Sequence, residues 1–333
     1  MDDVRDGVGM EINIPLIQQY RTKYTDIWTA ALQQDTSLLE SYVTIMQSCR
    51  GKQVELPYLG KTELNERKGR FQKVEFTELS TGKRQMKPIQ FEKFIGLSTD
   101  DPMFMDTLQL TSAQVIDEQR KAAARIRDAV ILGLVLKNGK WTIRASGDGV
   151  VGGILAPNYT GNDGATLTPF DDTRTVAADF IMKGTKTPAG MILDKIVEGK
   201  RMMEESHAYH EGSGDMLCMA ITPRQKAEII MWEQQQNKNY GFSVLQHGKV
   251  NPMLGINFLV TDMLPVDASG NRICPMWLKS KVALGVWENP SFRIDRRDDY
   301  IDLLQVGVTC AYGATRKDEE SFVKVLCTEP AEG

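Results

Sequence analysis

The chain has 333 residues, 41% apolar and 25% charged, with a formal net charge of −4. That length supports one large domain or two to three smaller ones around a substantial core, in the composition of an ordinary soluble globular protein. The acidic balance does not point to nucleic-acid binding, and no apolar run reaches the roughly 20 residues that span a bilayer.

The opening MDDVRDGVGMEINIP is acidic and lacks the apolar stretch of a signal peptide. The first fifty residues are helical in patches, with Tyr20, Tyr24, Ile27 and Trp28 as one stripe, in the manner of an arm lying on other structure. From Lys52 to Lys93 the pattern predicts two strands around a turn at Ser80–Lys83, with Gly82 supplying the permissive backbone. Val74 and Phe76 alternate with polar residues on one side; Ile89 and Phe91 do so on the other. Pro57 to Gly69 forms a polar excursion beside the hairpin. This segment holds ten Lys/Arg against six Asp/Glu, +4, leaving 30 basic and 38 acidic residues, −8, elsewhere. Such a hairpin buries little of its own surface. It is either a solvated hairpin or an arm that docks on an acidic surface of another subunit.

A long helix follows. Thr111 and Gln114 fit a capping box, and Ile116, Ala123, Ile126, Val130 and Leu134 form one stripe. Lys137, Asn138 and Gly139 mark its end, which predicts about 25 residues and roughly 37 Å. Residues 140–185, rich in Gly, Thr, Asn and Asp, read as loop or irregular strand. Residues 187–210 read as a helix with Pro188 in its first turn, 215–221 as a strand, and 222–236 as a helix capped by Thr222 with Pro223 at its first position. GINFLVTDML and RICPMWL read as strands. KVALGVWE is a strand ending in a turn at Asn289–Pro290, and Leu304, Val306, Val308, Cys310 and Tyr312 hold strict period two. After a turn at Thr315–Glu320, Val323, Val325 and Cys327 return.

Few motifs suggest chemistry. Gly147, Gly149 and Gly152 spell G-x-G-x-x-G with Asp171 and Asp172 downstream, but Pro157, Gly161 and Gly164 forbid the helix that a dinucleotide site requires. The glycines read instead as local flexibility. His207 and His210, near Glu204, Glu205, Glu211 and Asp215, have spacing that could share a metal, or belong to a solvated helix end. His247 has no acidic neighbour, and no G-x-S-x-G is present. Asp100–Asp101, Asp171–Asp172 and Asp298–Asp299 read as turn and cap formers, and RIDRRDD as a salt-bridge segment. Cys49, Cys218, Cys274, Cys310 and Cys327 are odd in number, widely spaced and without C-x-x-C, so they read as free thiols. No catalytic constellation, cofactor site or metal site emerges. Extended parts that cannot satisfy themselves point to assembly.

This order of parts resembles the tailed-phage major capsid proteins of the Hong Kong 97 (HK97-like) fold, over about Gly51 to Cys327. VELPYLGKTELNERKGRFQKVEFTELSTGKRQMKPIQFEKF is similar to the extended E-loop of that family, Thr111 to Lys137 to its spine helix, and the ending from KSKVALGVWE through GVTCAYGATR to its closing strands. The resemblance implies an α+β fold with an N-terminal arm (1–51), an E-loop (52–96), a peripheral domain (97–140 and 281–333) and an axial domain (141–280). It implies a non-enzymatic coat protein that assembles with copies of itself, as hexamers and pentamers, into an icosahedral shell around double-stranded DNA in the virion. Lys61, Lys68, Arg70, Lys83 and Arg84 of the E-loop would lie over a neighbour. DNA would be touched without sequence readout, with portal and, in some members, scaffolding and decoration proteins as further partners and no membrane. The short stretch before the E-loop implies a separate scaffolding protein or none. An encapsulin-like compartment shell of the same fold, and more distantly a metal enzyme using His207 and His210, are the alternatives.

Overall fold

The computed structural model describes residues 34–62, 64, 66, 76, 78–97, 112–161, 166–182, 184, 186–210, 212–236, 254–297 and 303–329. The stripe at Tyr20–Trp28, the cap at Thr111, Val74, Lys68, Arg70, His247 and the pairs Asp100–Asp101 and Asp298–Asp299 lie outside the described residues.

In chain order the elements are β1 (Thr44–Met46), β2 (Val54–Leu59), β3 (Thr81–Met86), β4 (Ile89–Leu97), α1 (Ser112–Leu132), β5 (Leu134–Lys137), β6 (Lys140–Ile143), β7 (Asn158–Thr160), β8 (Thr166–Thr168) and β9 (Thr175–Val176). Then come α2 (Leu193–Glu205), β10 (Leu217–Ile221), α3 (Pro223–Gln236), β11 (Ile256–Val260), β12 (Asn271–Leu278), β13 (Val282–Arg297), β14 (Leu303–Arg316) and β15 (Phe322–Thr328). They form three larger sheets, ordered β1-β13-β14-β4, β11-β10-β12-β15-β9 and β2-β3-β7-β8, and the hairpin β5-β6.

The long ladder is β13 against β14, antiparallel from Val282↔Arg316 to Arg297↔Leu303. The period-two residues of β14 explain its place: Val306, Val308, Cys310, Tyr312 and Ala314 are buried along one face. α1 packs on that face. The Arg127 guanidinium donates to the Tyr312 hydroxyl at 3.1 Å and stacks 4.9 Å from its ring centre. Gln119 donates to the Val306 carbonyl at 3.1 Å.

Several sequence expectations are corrected. Ser80–Lys83 is not a turn: Thr81, Gly82 and Lys83 lie within β3, paired with Leu59, Tyr58 and Pro57 of β2. Ile89 and Phe91 belong to β4, which pairs with β14 instead of returning beside Phe76. Asn289–Pro290 is not a turn either; β13 passes through it with register shifts between Val286 and Ser291, a bulge that accommodates the proline.

α1 ends at Leu132, before the predicted stop, and is about 31 Å long. Gly133 follows with φ +77°, and Asn138 and Gly139, φ +50° and +75°, make the tight turn between β5 and β6. Pro188 lies before α2, which starts at Leu193. Pro223 does open α3, and Gln225 accepts hydrogen bonds from the Thr222 N–H and hydroxyl. The return strand β15 pairs with β12 and β9, not with β14.

The glycine-rich stretch is not flexible filler. Val151 to Ala156 are buried, and the Ile154 and Leu155 N–H groups donate to the Ile131 and Leu132 carbonyls at the end of α1. A Cβ on Gly153 would stand 2.5 Å from the Gly133 nitrogen, so only glycine permits this approach. The core joins both main sheets, with Trp277, Tyr312, Phe322, Leu278 and Leu284 fully buried among aliphatic and Met side chains.

Candidate intersubunit surface

The β2–β3 ladder runs from Val54↔Met86 to Leu59↔Thr81 and continues through the Gly60 N–H, which donates to the Ser80 carbonyl at 2.7 Å. Its root is fixed in the body. Met86 is 1% exposed, the Trp287 indole donates to the Gly51 carbonyl at 2.9 Å, and the Lys87 ammonium sits 3.8 Å from the Tyr159 ring centre.

The arm's described basic residues are engaged within the chain. Lys83 pairs with Glu55 at 3.1 Å. Arg84 donates to Glu319 at 2.7 Å, with both side chains mostly covered. Lys61 pairs with Glu320 and donates to the Ser206 carbonyl at 2.8 Å. Lys68 and Arg70 lie outside the described residues.

Among its polar exposed residues the arm also leaves large apolar side chains bare. Leu59 is 66% exposed, Leu64 98% and Phe76 95%, with Tyr58 and Leu79 also open. Sequence reasoning passed over these residues in favour of the lysines and arginines, although runs of isolated apolar residues in a polar hairpin were the available signal. Large apolar groups in water at an extended tip mark a contact surface.

The remaining candidates do not converge. His207 and His210 are exposed past the end of α2, His207 with φ +56°. They edge a surface hollow with Lys200, Arg201, Glu204 and Tyr209. Its cations are matched by neighbouring carboxylates, Arg201 by Glu198 and Glu205 and Lys200 by Glu204. The Arg201 guanidinium beside Glu198 holds that carboxyl below its ordinary value. Among the described residues no group of three His, Cys, Asp or Glu side chains could hold a metal. Asp171 caps a short helical turn by accepting from the Thr173 N–H at 2.9 Å, as a turn former would. All five cysteines are free, four of them buried. Burial pushes the Cys218 thiol up to about 12. Among the described residues no helix is long and apolar enough to cross a membrane.

Two buried cations act as internal staples. Arg316, fully buried, donates to the Ile154 and Ala156 carbonyls at 2.7 and 2.8 Å and to Glu319 at 2.9 Å. Lys195, also fully buried, donates to the Ala178, Ala189 and Leu326 carbonyls at 2.6–2.9 Å. Burial is the main cause lowering the pKa of each. Both join segments distant in sequence; neither faces an opening where chemistry could occur.

Comparison with known proteins agrees with this surface-centred picture. A family model described as "Phage capsid protein" matches residues 16–329. Among solved structures, the capsid of Ralstonia phage GP4 is similar over 100% of both chains at 10% identity and a TM-score of 0.64. A Gordonia phage Cozz structure covers 98% of both chains at 16% identity and 0.61. The capsid of a native GTA particle covers 96% of this chain and 100% of that one at 12% identity and 0.62. No curated protein matches the sequence. The shared fold is the α+β, HK97-like capsid fold that the sequence resembles, and neither a compartment shell nor a metal enzyme is favoured. The chain is a structural protein of the virion capsid shell, and by the match over nearly its whole length it belongs to the phage capsid protein family.

Proposed function

We propose that this chain is a major capsid subunit that assembles with copies of itself, through hexamers and pentamers, into an icosahedral shell enclosing double-stranded DNA, without catalytic activity. The observation that carries this reading is the β2–β3 arm, rooted in the core yet presenting Leu59, Leu64 and Phe76 to solvent. A subunit that ended its assembly as a monomer would expose these side chains for nothing. The fold divides accordingly. The sheet β1-β13-β14-β4 with α1 serves as the peripheral part, the sheet around β10 and β12 as the axial part, and the arm reaches a neighbour. The basic residues Lys61, Lys68, Arg70, Lys83 and Arg84 of the E-loop segment, of which Lys68 and Arg70 lie outside the described residues, meet the acidic remainder of a second copy. Heterologous contacts of this kind close into shells. DNA is met non-specifically by a net-acidic subunit, and portal, scaffolding and decoration proteins are the further partners. Negative-stain microscopy and sizing of the purified protein test the reading. Uniform shells, or rings that close into shells, are expected; a monodisperse monomer that never assembles with its particle components refutes it.

A further inference from the structure

We propose that Met191, Cys274 and Cys327 form a buried three-sulfur site for a soft monovalent metal ion of the copper(I) class. The residues come from the segment ahead of α2, from β12 and from β15. In the β12–β15 ladder Cys274 stands opposite Val325 and Cys327 opposite Arg272, so the two thiols are diagonal neighbours on one face. They are hydrogen-bonded to each other, and the Cys327 thiol donates to the Met191 Sδ at 3.8 Å. All three side chains are buried, at 1% exposure or less. Three sulfurs in a plane around one ion, with metal–sulfur bonds of about 2.3 Å, stand about 4 Å apart; Cys327 and Met191 already have that spacing. The Met191 N–H donates to Glu228 at 2.6 Å, and the Ala189 carbonyl accepts from the Thr328 N–H at 3.0 Å. These bonds hold the thioether against β15.

Lys195 selects the charge of the ion. Its ammonium uses all three N–H groups on the Ala178, Ala189 and Leu326 carbonyls, so it is held in the charged form. Leu326 adjoins Cys327, and Ala189 lies two residues before Met191, so a buried positive charge stands beside the sulfurs. Two thiolates, one monovalent ion and this ammonium sum to zero. A divalent ion would leave one uncompensated charge in the core, which is costly. The donors point the same way, because thiolate and thioether sulfur favour soft ions such as copper(I). On binding, each thiol releases its proton to solvent and forms one sulfur–metal bond, and Met191 adds a lone pair; no electron is transferred. The ion would join β12, β15 and the segment ahead of α2 at one point in the core.

The test uses the full-length, reduced protein in a Cys49→Ser background, kept free of oxygen, with silver(I) as the probe. Equilibrium dialysis with elemental analysis counts bound ions, and thermal melts with and without silver report folding. The parent should take up one ion and melt at a higher temperature with it, because the ion binds the folded chain. Cys274→Ala and Cys327→Ala should each lose that ion. Cys218 and Cys310 remain in every variant, so a difference between variants belongs to this site. Met191→Leu conserves volume and should leave the metal-free melt near that of the parent while weakening silver binding about tenfold. A parent that takes up no ion, or folded cysteine variants that bind silver as the parent does, overturns the proposal. Should both cysteine variants fail to fold, Met191→Leu decides: unchanged affinity overturns the site, and the tenfold loss supports it.

Discussion

Asp128, on the buried side of α1, accepts the backbone N–H of Leu39 at 3.2 Å, 89 residues earlier in the chain. The same carboxylate accepts the Leu38 N–H at 3.0 Å and hydrogen bonds from Ser37 and Gln34. A 1% exposed acid thus holds the backbone just ahead of the short helical turn Glu40–Tyr42 and fixes the entry of the N-terminal segment to the spine helix. Asp128→Ala strands those donors, and the variant should lose about 2–4 kcal/mol of stability. Urea denaturation measures the loss. Proteolytic nicking near residue 36 should rise with it, and stability within experimental error of wild type would refute the anchoring role.

The approach of Gly153 to Gly133 yields a second expectation. Gly153→Ala would force a methyl against the Gly133 backbone, and Gly153 itself sits at φ +111°. Overpacking and backbone strain together should cost about 2–4 kcal/mol. Gly147→Ala, where a Cβ meets nothing within 4 Å, should be nearly neutral on the same denaturation curve. Equal effects at the two sites would mean that the stretch is tolerant in the way its glycine content first suggests.

These two sites also mark what the sequence could and could not reveal. The strict alternation through Leu304–Tyr312 marks the strand because one face of β14 is buried from Val306 onward under α1 and the core. The Thr222–Pro223 start of α3 was legible because caps act within one turn. Sheet membership was not legible. β15 follows β14 after a short turn, yet it pairs with β12, because Phe322, Val323 and Val325 fill the core beside Trp277 and Met276. Local turn residues also misled at Gly82 and at Asn289–Pro290, where an exposed arm and a bulge tolerate residues that usually end a strand. At the arm, charge pointed to Lys61, Lys83 and Arg84, while the geometry pairs all three with carboxylates of the same chain and leaves Leu59 and Phe76 outside.

Glu329 gives the chain an acid-sensitive staple. Arg272 donates to both of its oxygens, at 3.0 and 2.7 Å, and Gln225 donates at 2.8 Å. The Arg272 hydrogen bonds, against a smaller opposing effect of burial, hold the carboxyl below its ordinary 4.5. A depressed folded-state pKa means stabilisation that is complete above 4.5 and disappears as pH falls through the lower folded-state value. Glu329→Gln should therefore be about 1–2 kcal/mol less stable than wild type at pH 7. The gap should narrow steadily in urea melts taken below pH 4.5. A gap of constant size across that range would show that the carboxylate's charge is not what stabilises the site.

The arm's apolar tip makes the last prediction. Leu59 and Phe76 touch little of their own chain, so Leu59→Ser and Phe76→Ser should leave the thermal melt of the unassembled protein unchanged. In a shell each side chain would be buried against a neighbour, at about 1.5–3 kcal/mol per residue. Removing one should raise the protein concentration needed for shells by roughly tenfold or more, and removing both should abolish assembly at concentrations where wild type closes. Light scattering against concentration, with microscopy of the products, reads this directly. A double variant that assembles like wild type would place the neighbour's contact elsewhere on the subunit. A double variant with a lowered melting temperature would mean that Leu59 and Phe76 pack on their own chain and not on a neighbour.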